Sequence, residues 1–140
     1  MIRAKHSLRS ATAERQALRR RVKLMYDYFN QGLWEKCFSL IDPRIREKST
    51  TTFPPFAERL QEFKEAYGAI RPWHVRISLH LDWSSSKHDD GPFAYVYTVW
   101  QDDAHRFHMF RERWVRHGNR WFTQVVGLVV NRRELADDQD

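Results

Sequence analysis

The sequence predicts an α+β fold in which helices come first and an antiparallel sheet follows. Apolar residues recur at helical spacing up to about residue 69, and over residues 74–83 they alternate with polar ones. Residues 107–128 then contain two strand-like runs on either side of a His-Gly-Asn turn. Helices that precede an antiparallel meander favour a two-layer domain, with three helices packed on one face of a curved four-stranded sheet.

Three helices are predicted before residue 70. The first covers residues 10–31 and ends at Gly32, a residue type common just after a helix. The second covers residues 33–41 and ends at Asp42, because the residue before a proline is driven out of helical geometry. The third has a Pro-Pro pair in its first turn and runs to about residue 69. The residues predicted to face the core are Leu18, Val22, Met25, Tyr26 and Phe29; Trp34, Cys37, Phe38 and Ile41; and Phe56, Leu60, Phe63 and Tyr67.

Four strands are predicted after the helices, over residues 73–83, 93–100, 105–116 and 120–130. In the first strand the alternation of apolar and polar residues defines one inner face. That face consists of Val75, Ile77, Leu79, Leu81 and Trp83.

The inner face of the third strand follows from comparing its two sets of alternate residues. The odd-numbered set contains Arg111 and Arg113, whereas the even-numbered set contains two large rings and Glu112. Burying two unpaired arginines costs more than burying one carboxylate, which can take up a proton. We therefore place the even-numbered set against the helices, with matching sets from strands two and four. The predicted inner residues are His108, Phe110, Glu112 and Trp114; Phe93, Tyr95, Tyr97 and Val99; and Phe122, Gln124, Val126 and Leu128.

This assignment leaves several large apolar residues on the outer face of the sheet. They are Val96, Trp100, Met109, Trp121 and Val125. A soluble monomer rarely exposes such a patch to water. We therefore expect a homodimer that buries the outer face.

Composition indicates one domain of 140 residues, 41% of which are hydrophobic and 14% aromatic. The lone Cys37 favours a reducing compartment and a buried, inert thiol. Because the sequence shows neither an apolar run of membrane-spanning length nor a secretion signal, we expect a cytoplasmic protein with no membrane association. The expected organisation is a basic flexible arm over residues 1–9, a single domain over 10–130, and a polar tail over 131–140.

The positive net charge comes from the beginning of the chain. Residues 1–24 hold eight Lys/Arg and one Glu, whereas the other residues hold 16 basic and 17 acidic groups. A nucleic-acid site would need a stripe of basic residues with stacking aromatics across one face. Because the basic residues gather on one helix and its leading arm, the sequence favours a solvated helix face over a nucleic-acid site.

Two segments resemble the nuclear transport factor 2-like superfamily, which includes the SnoaL-like polyketide cyclases. They are YDYFNQGLWEKCFSLIDPRIR, over residues 26–46, and RERWVRHGNRWFTQVV, over residues 111–126. The resemblance covers about residues 10–130. It implies a cone-shaped half-barrel, in which helices pack on the concave face of the sheet and the open end holds a small, often apolar ligand, frequently in a dimer.

The superfamily contains both enzymes and modules without chemistry of their own. Its enzymes include cyclases, isomerases and dehydratases that use an acid or a histidine inside the cone, with tyrosine support. Its non-catalytic members include dioxygenase β subunits and kinase association domains. The latter carry an arginine where this chain has Glu112, which argues against that subgroup. The resemblance also makes Asp42 a helix stop rather than a catalytic base.

Glu112 is the strongest candidate for a catalytic residue. It is predicted to lie between two buried rings, where desolvation would raise its pKa and make it a general acid or base. His108 shares its face about 13 Å away, so the two would act on opposite ends of a ligand. The predicted ligand-binding residues are Tyr26, Tyr95, Tyr97, Phe110, Trp114 and Gln124. The competing interpretation is a buried structural ion pair of Glu112 with an arginine, such as Arg71 or Arg44.

The sequence predicts neither a metal nor a cofactor, because no metal-ligand or phosphate-binding motif is present. Two functions remain open. One is the binding of a small apolar or aromatic ligand in an aromatic-lined cone, with cyclase-, isomerase- or dehydratase-type chemistry at Glu112. The other is a non-catalytic assembly or partner-binding module. An enzyme needs an open cavity with a reachable acid, whereas a module would fill the cone with rings.

Overall fold

The computed structural model describes residues 8–47, 52–81 and 91–124, and these residues form the predicted α+β fold. Within them, four helices precede an antiparallel sheet of four strands, in the order β1-β2-β3-β4, that does not close on itself. The elements are α1 Ala11–Asn30, α2 Trp34–Phe38, α3 Pro43–Glu47, α4 Phe53–Tyr67, β1 Arg71–His80, β2 Phe93–Gln101, β3 Phe107–His117 and β4 Arg120–Thr123. Residues 1–7 of the predicted arm, the polar tail, Trp83, Val125, Val126 and Leu128 lie outside the described residues, whereas Arg9 at the end of the arm is bonded to Glu14.

Helix α1 agrees with its prediction in both its bounds and its buried face. Ser10 precedes it and accepts a hydrogen bond from the backbone N–H of Ala13 at 3.1 Å, which caps the first turn. All five apolar residues predicted to face the core are buried. The chain leaves the helix through Gly32, whose φ of +73° lies in the left-handed region that glycine adopts without strain.

The Asp-Pro pair that follows the second helix begins another helix. Helix α2 stops at Phe38, and α3, which was not predicted, begins at Pro43. Proline suits the first position of a helix because its missing N–H would have no partner there. The Asp42 carboxylate accepts a hydrogen bond from the backbone N–H of Arg44 at 3.0 Å. The predicted helix stop at Asp42 is therefore wrong by three residues, because α2 already ends at Phe38, and Asp42 instead caps the first turn of α3.

Helix α4 confirms the third predicted helix, with prolines in its first turn and Gly68 after its last residue. Phe56, Leu60 and Phe63 are buried as predicted, and Tyr67 packs half-buried against the same core. In β1, the predicted inner residues are the buried or half-buried ones, and the residues between them are exposed. The even-numbered residues of β3 are also confirmed as inner, since Phe110, Glu112 and Trp114 are all buried.

The predicted inner face of the second strand is wrong. Residues Ala94, Val96, Thr98 and Trp100 are buried, whereas Phe93, Tyr95, Tyr97 and Val99 face the other way and are half-buried. Residues paired across antiparallel strands point to the same side, and Val96 pairs with Glu112 while Trp100 pairs with His108. The strand is apolar on both faces, so its own pattern held no information about which side turns inward.

The predicted inner face of the fourth strand is wrong for a different reason. The strands pair through His117 and Arg120, so the turn contains two residues rather than the three assumed from the sequence. One residue fewer in the turn reverses the face of every following side chain. Trp121 and Thr123 are therefore buried, and Phe122 and Gln124 lie on the other side.

These two corrections remove most of the predicted apolar patch on the outer face. Val96, Trp100 and Trp121 belong to the buried core, and Met109 is 51% exposed as predicted. The homodimer remains a prediction. Three of the residues that were expected to be exposed on the outer face, and so to need a partner, are buried inside the domain.

Helix α1 is joined to the β3–β4 hairpin by a buried carboxylate, Glu14. Its oxygens lie 3.0 Å from Arg116 Nε and accept hydrogen bonds from Trp121 Nε1 at 3.1 Å and Arg9 Nη2 at 2.9 Å. Burial raises the pKa of Glu14, but these partners outweigh it and the net pKa is lowered. The side chain of Arg116 is only 3% exposed. An anion at Glu14 is therefore needed to balance a buried cation.

We expect Glu14→Ala to lower the free energy of unfolding by about 3 kcal/mol or more, because it removes the carboxylate beside a buried guanidinium and the acceptor of a buried indole N–H. Asp27→Ala is the matched control, since it removes an exposed i,i+4 pair with Lys23 on the same helix. That pair should contribute less than about 1 kcal/mol. Urea unfolding of both variants tests the difference, and equal losses would contradict a structural role for Glu14.

Candidate functional site

Glu112 lies on the inner face of β3 and is 1% exposed. Its neighbours along that face of the strand are Phe110 and Trp114, both fully buried, as predicted. The two arginines considered as ion-pair partners contact other carboxylates: Arg71 lies 2.9 Å from Asp103, and Arg44 lies 3.2 Å from Asp42. Because it is 1% exposed and has Phe110 and Trp114 as neighbours, Glu112 lies deep in the domain, between aromatic rings.

Tyr26 of α1 reaches Glu112 across the core. The tyrosine Oη donates to Glu112 Oε1 at 3.5 Å, a long hydrogen bond between two buried groups. Burial, and then the negative charge of Glu112, raises the pKa of Tyr26 well above that of a free phenol. Tyr26 is therefore a neutral hydrogen-bond donor at any physiological pH.

The rest of the inner face around this pair is filled by aromatic rings. The ring centroids of Phe63, Trp100 and Phe110 lie 5.1 to 5.9 Å apart, which is contact distance for aromatic pairs. All three side chains are essentially inaccessible to solvent. In this part of the sheet, rings occupy the space in which the superfamily resemblance predicts an open cone.

Open space does exist at the edge of the core, between α1 and β1. A cavity of about 310 Å³ lies there, and Tyr26 forms part of its wall. Its apolar lining residues are Val22, Tyr26, Pro72 and Val75, and its polar ones are Arg19, Lys23, Asp27 and Asn30. Glu112 does not line this cavity. A molecule bound in it would contact the tyrosine, and only through the tyrosine would it be linked to Glu112.

The polar residues of the cavity also hold α1 to β1. Arg19 Nη1 donates to the backbone carbonyl of Val75 at 3.0 Å, and the Asn30 side chain makes two hydrogen bonds of 2.8 Å with the backbone of Ile70. A second cavity, of about 350 Å³, lies beside α2 and is lined by Trp34, among others. It involves no residue of the predicted site.

His108 forms a separate centre at the other end of the same strand face. Its Nε2 lies 2.8 Å from Asp102 Oδ2, and its ring stacks on Trp100 at 4.4 Å. Burial alone would raise the pKa of Asp102. Hydrogen bonds from His108 and from the backbone N–H groups of Arg106 and Ala104 instead hold that pKa at about 2. Asp102 thus fixes the orientation of the imidazole.

The structure separates the other predicted site residues. Tyr95 and Tyr97 lie on the opposite face of the sheet from Glu112, so their prediction as part of its pocket is wrong. Gln124 also lies elsewhere, where it bonds Asp42 at 3.1 Å and contacts Arg113. The inner site therefore keeps Tyr26, Phe110, Glu112 and Trp114, with His108 at some distance.

Sequence reasoning missed Asp102 and the cavity residues of α1 and β1. Asp102 lies between the second and third predicted strands and was given no functional role, although an aspartate at the start of a loop commonly accepts backbone N–H groups from the next few residues. The cavity residues Val22 and Val75 were correctly predicted to face inward. No local sequence pattern indicated that α1 and β1, which carry these two residues, are far enough apart to leave a cavity between them.

Cys37 is inert, as expected from its place in an apolar helix. It is fully buried, and burial raises the pKa of its thiol to about 12. Across residues 8–47, 52–81 and 91–124, no group of three or more His, Cys, Asp or Glu side chains is arranged to hold a metal ion. The helices in these ranges are all too short or too polar to cross a membrane.

Comparisons with protein families, with curated proteins and with solved structures found no match to this chain. The site must therefore be interpreted from its own geometry.

The stability of the fold should depend on Asp102 at acidic pH. Because its folded pKa of about 2 lies below the unfolded value, the stabilisation is complete above about pH 4 and is lost as the pH falls through about 2. A shift of this size corresponds to about 2 kcal/mol. Asp102→Asn should lack this component of the pH dependence.

Asp103→Asn is the matched control, because Asp103 is an exposed neighbour in the same loop. Urea unfolding of wild type and both variants between about pH 2 and pH 6 makes the comparison. If Asp102→Asn and wild type lose stability in parallel as the pH falls, the proposed role of the His108–Asp102 contact is wrong.

Proposed function

We propose that this protein binds a small, mostly apolar ligand in the cavity between α1 and β1, and that Tyr26, which is hydrogen-bonded to Glu112, is part of the binding site. The observation that carries this proposal is that the cavity wall includes Tyr26, whose hydroxyl contacts a buried carboxylate. A buried acid–phenol pair beside a cavity is a more costly arrangement than a purely apolar core. A role in recognition would explain its presence.

The chemistry of the cavity restricts the ligand. Its volume of about 310 Å³ is near the lower end of the range for small-molecule sites. The walls supplied by Val22, Pro72 and Val75 suit a single ring or a short branched chain. Arg19, Lys23 and Asp27 at the same cavity carry a net charge of +1, and Lys23 is paired with Asp27, so Arg19 is the group that favours an acidic or carbonyl substituent over a basic one.

The superfamily resemblance supports the same proposal. The order of helices before an open antiparallel sheet is that expected of a nuclear transport factor 2-like domain. An inward acid with tyrosine support is the arrangement that its cyclases, isomerases and dehydratases would use. Since Tyr26 stands between the cavity and Glu112, ligand binding is the primary proposal. Catalysis would require the acid to act through the phenol.

The second candidate function is a non-catalytic assembly module. It is favoured by the packing of Phe63, Trp100 and Phe110, which fill the inner face of the sheet. Such a module would use its surface rather than its interior. The two candidates differ in whether the α1–β1 cavity accepts a ligand.

A thermal-shift screen of small cyclic and aromatic acids, ketones and lactones tests the proposal. A compound present at 100 times its Kd adds about 2.7 kcal/mol of stability, roughly 10 °C in Tm for a domain of this size. We expect related compounds to raise the Tm of wild type. They should do so less in Tyr26→Phe, which keeps the ring but loses the hydroxyl, and in Glu112→Gln.

A pair of β1 variants locates the binding. Val75→Phe places a ring at the cavity wall, whereas Leu79→Phe adds the same ring on the same strand face outside the cavity. The shift should disappear in Val75→Phe and persist in Leu79→Phe. Equal shifts in both would place the ligand elsewhere. A screen without any stabilising compound would favour the assembly module.

A further inference from the structure

The outer face of the sheet carries arginines and aromatic rings in alternation. We call the outward-facing residues of β1, β2 and β3 the arginine–aromatic face. Its central members are Arg76, Phe93, Tyr95, Tyr97, Arg111 and Arg113. The three tyrosine and phenylalanine rings are half-buried and follow one another on β2. This face was not predicted, because the sequence pattern had placed these rings inside.

The charge of this face has one sign. Strands β1, β2 and β3 contain a single carboxylate, Glu112, and it lies on the inner face. The outward positions carry Arg76, Arg111 and Arg113. The face is therefore electrostatically complementary to a polyanion.

The arginines and rings form stacked pairs rather than separate groups. Arg113 lies 4.4 Å from the centre of the Phe93 ring, and Arg76 lies 4.6 Å from that of Tyr97. His80 is also stacked on Phe93, at 4.7 Å between centroids and 7° between planes. Planar guanidinium groups and aromatic rings are the two kinds of protein surface on which nucleobases stack.

One end of the face exposes bare rings. Trp73, at a bulge in β1, is 72% exposed and contacts Phe107 of β3, which is 54% exposed, at 5.5 Å between centroids. Met109 beside them is 51% exposed. These exposed rings present flat apolar surface next to the arginines of the arginine–aromatic face.

We propose that the arginine–aromatic face binds single-stranded nucleic acid, with bases stacked on its rings and guanidinium groups and phosphates near its arginines. Successive outward residues of a strand lie about 7 Å apart, close to the spacing of nucleotides in an extended strand. From Phe93 to Gln101 the face is about 27 Å long, sufficient for about four nucleotides. A duplex hides its base faces and fits this surface less well.

The test is fluorescence anisotropy of a labelled single-stranded oligonucleotide of about ten nucleotides, as RNA and as DNA, with the whole chain. We expect binding that weakens as salt is added, because phosphate contacts release counterions. Duplex of the same length and heparin serve as competitors. Single strands should compete better than either.

Three variants on the face separate stacking from charge. Loss of one stacked base corresponds to about 5- to 100-fold in Kd. Tyr97→Leu should weaken binding within that range, whereas Tyr97→Phe, which keeps the ring, should bind like wild type. Arg76→Gln should also weaken binding and reduce the salt dependence. Because Arg76 is exposed, this substitution should leave the fold intact, and a melting curve confirms it.

Arg20→Gln on the exposed side of α1 is the control for charge alone. Several results would overturn the proposal: no binding by wild type at low salt, equal weakening by Arg20→Gln and Arg76→Gln, or equal affinity of Tyr97→Leu and wild type. Heparin or duplex that competes as well as single strands would indicate a general polyanion surface. If the oligonucleotide does not bind, and light scattering shows a dimer whose mass does not change when oligonucleotide is added, the face is covered by a second copy of the chain.

Discussion

The two-residue turn between β3 and β4 is the constraint on which the inner face of this domain depends. Gly118 lies at a φ of +61°, a left-handed conformation that lets the chain reverse within two residues and pairs His117 with Arg120. Only in this register do Trp121 and Thr123 point inward. The indole of Trp121 then reaches Glu14 on α1, and the backbone of Thr123 bonds the backbone of Leu40 and Asp42. A different turn length would break each of these contacts.

Three buried carboxylates fix the margins of the core that the turn creates. Glu14 joins α1 to the hairpin, Asp42 joins the α2–α3 connection to the end of β4, and Asp102 organises the loop between β2 and β3. Each is surrounded by donors that outweigh the cost of its burial, so that the pKa of all three is lowered. The interior between them can therefore consist of packed apolar side chains, both aliphatic and aromatic. Glu112 is a further buried carboxylate, and it accepts a hydrogen bond from Tyr26, a neutral donor.

The sequence predicted the elements of this fold far better than the faces of its strands. Helical spacing located α1 and α4 and their buried residues, because one side of each helix is apolar and the other polar. Glu14 lies four residues before Leu18 on that same buried side, a signal that was overlooked because the residue is charged. Strand β2 is apolar on both sides, so only its pairing with β3 decides that Trp100 is inside and Tyr97 outside. That pairing, like the gap between α1 and β1, is set by contacts distant in sequence.

Strand β1 connects the two surfaces to which we assign binding. Its alternate residues point in opposite directions, so that Val75 lines the cavity and the adjacent Arg76 stacks on Tyr97 across the sheet. Because β1 is an edge strand, paired only with β2 in the described sheet, its position relative to α1 depends on a few contacts such as Arg19 with the backbone of Val75. The two side chains point away from each other. Substitutions at Val75 and Arg76 can therefore be interpreted separately, one for the interior and the other for the outer face.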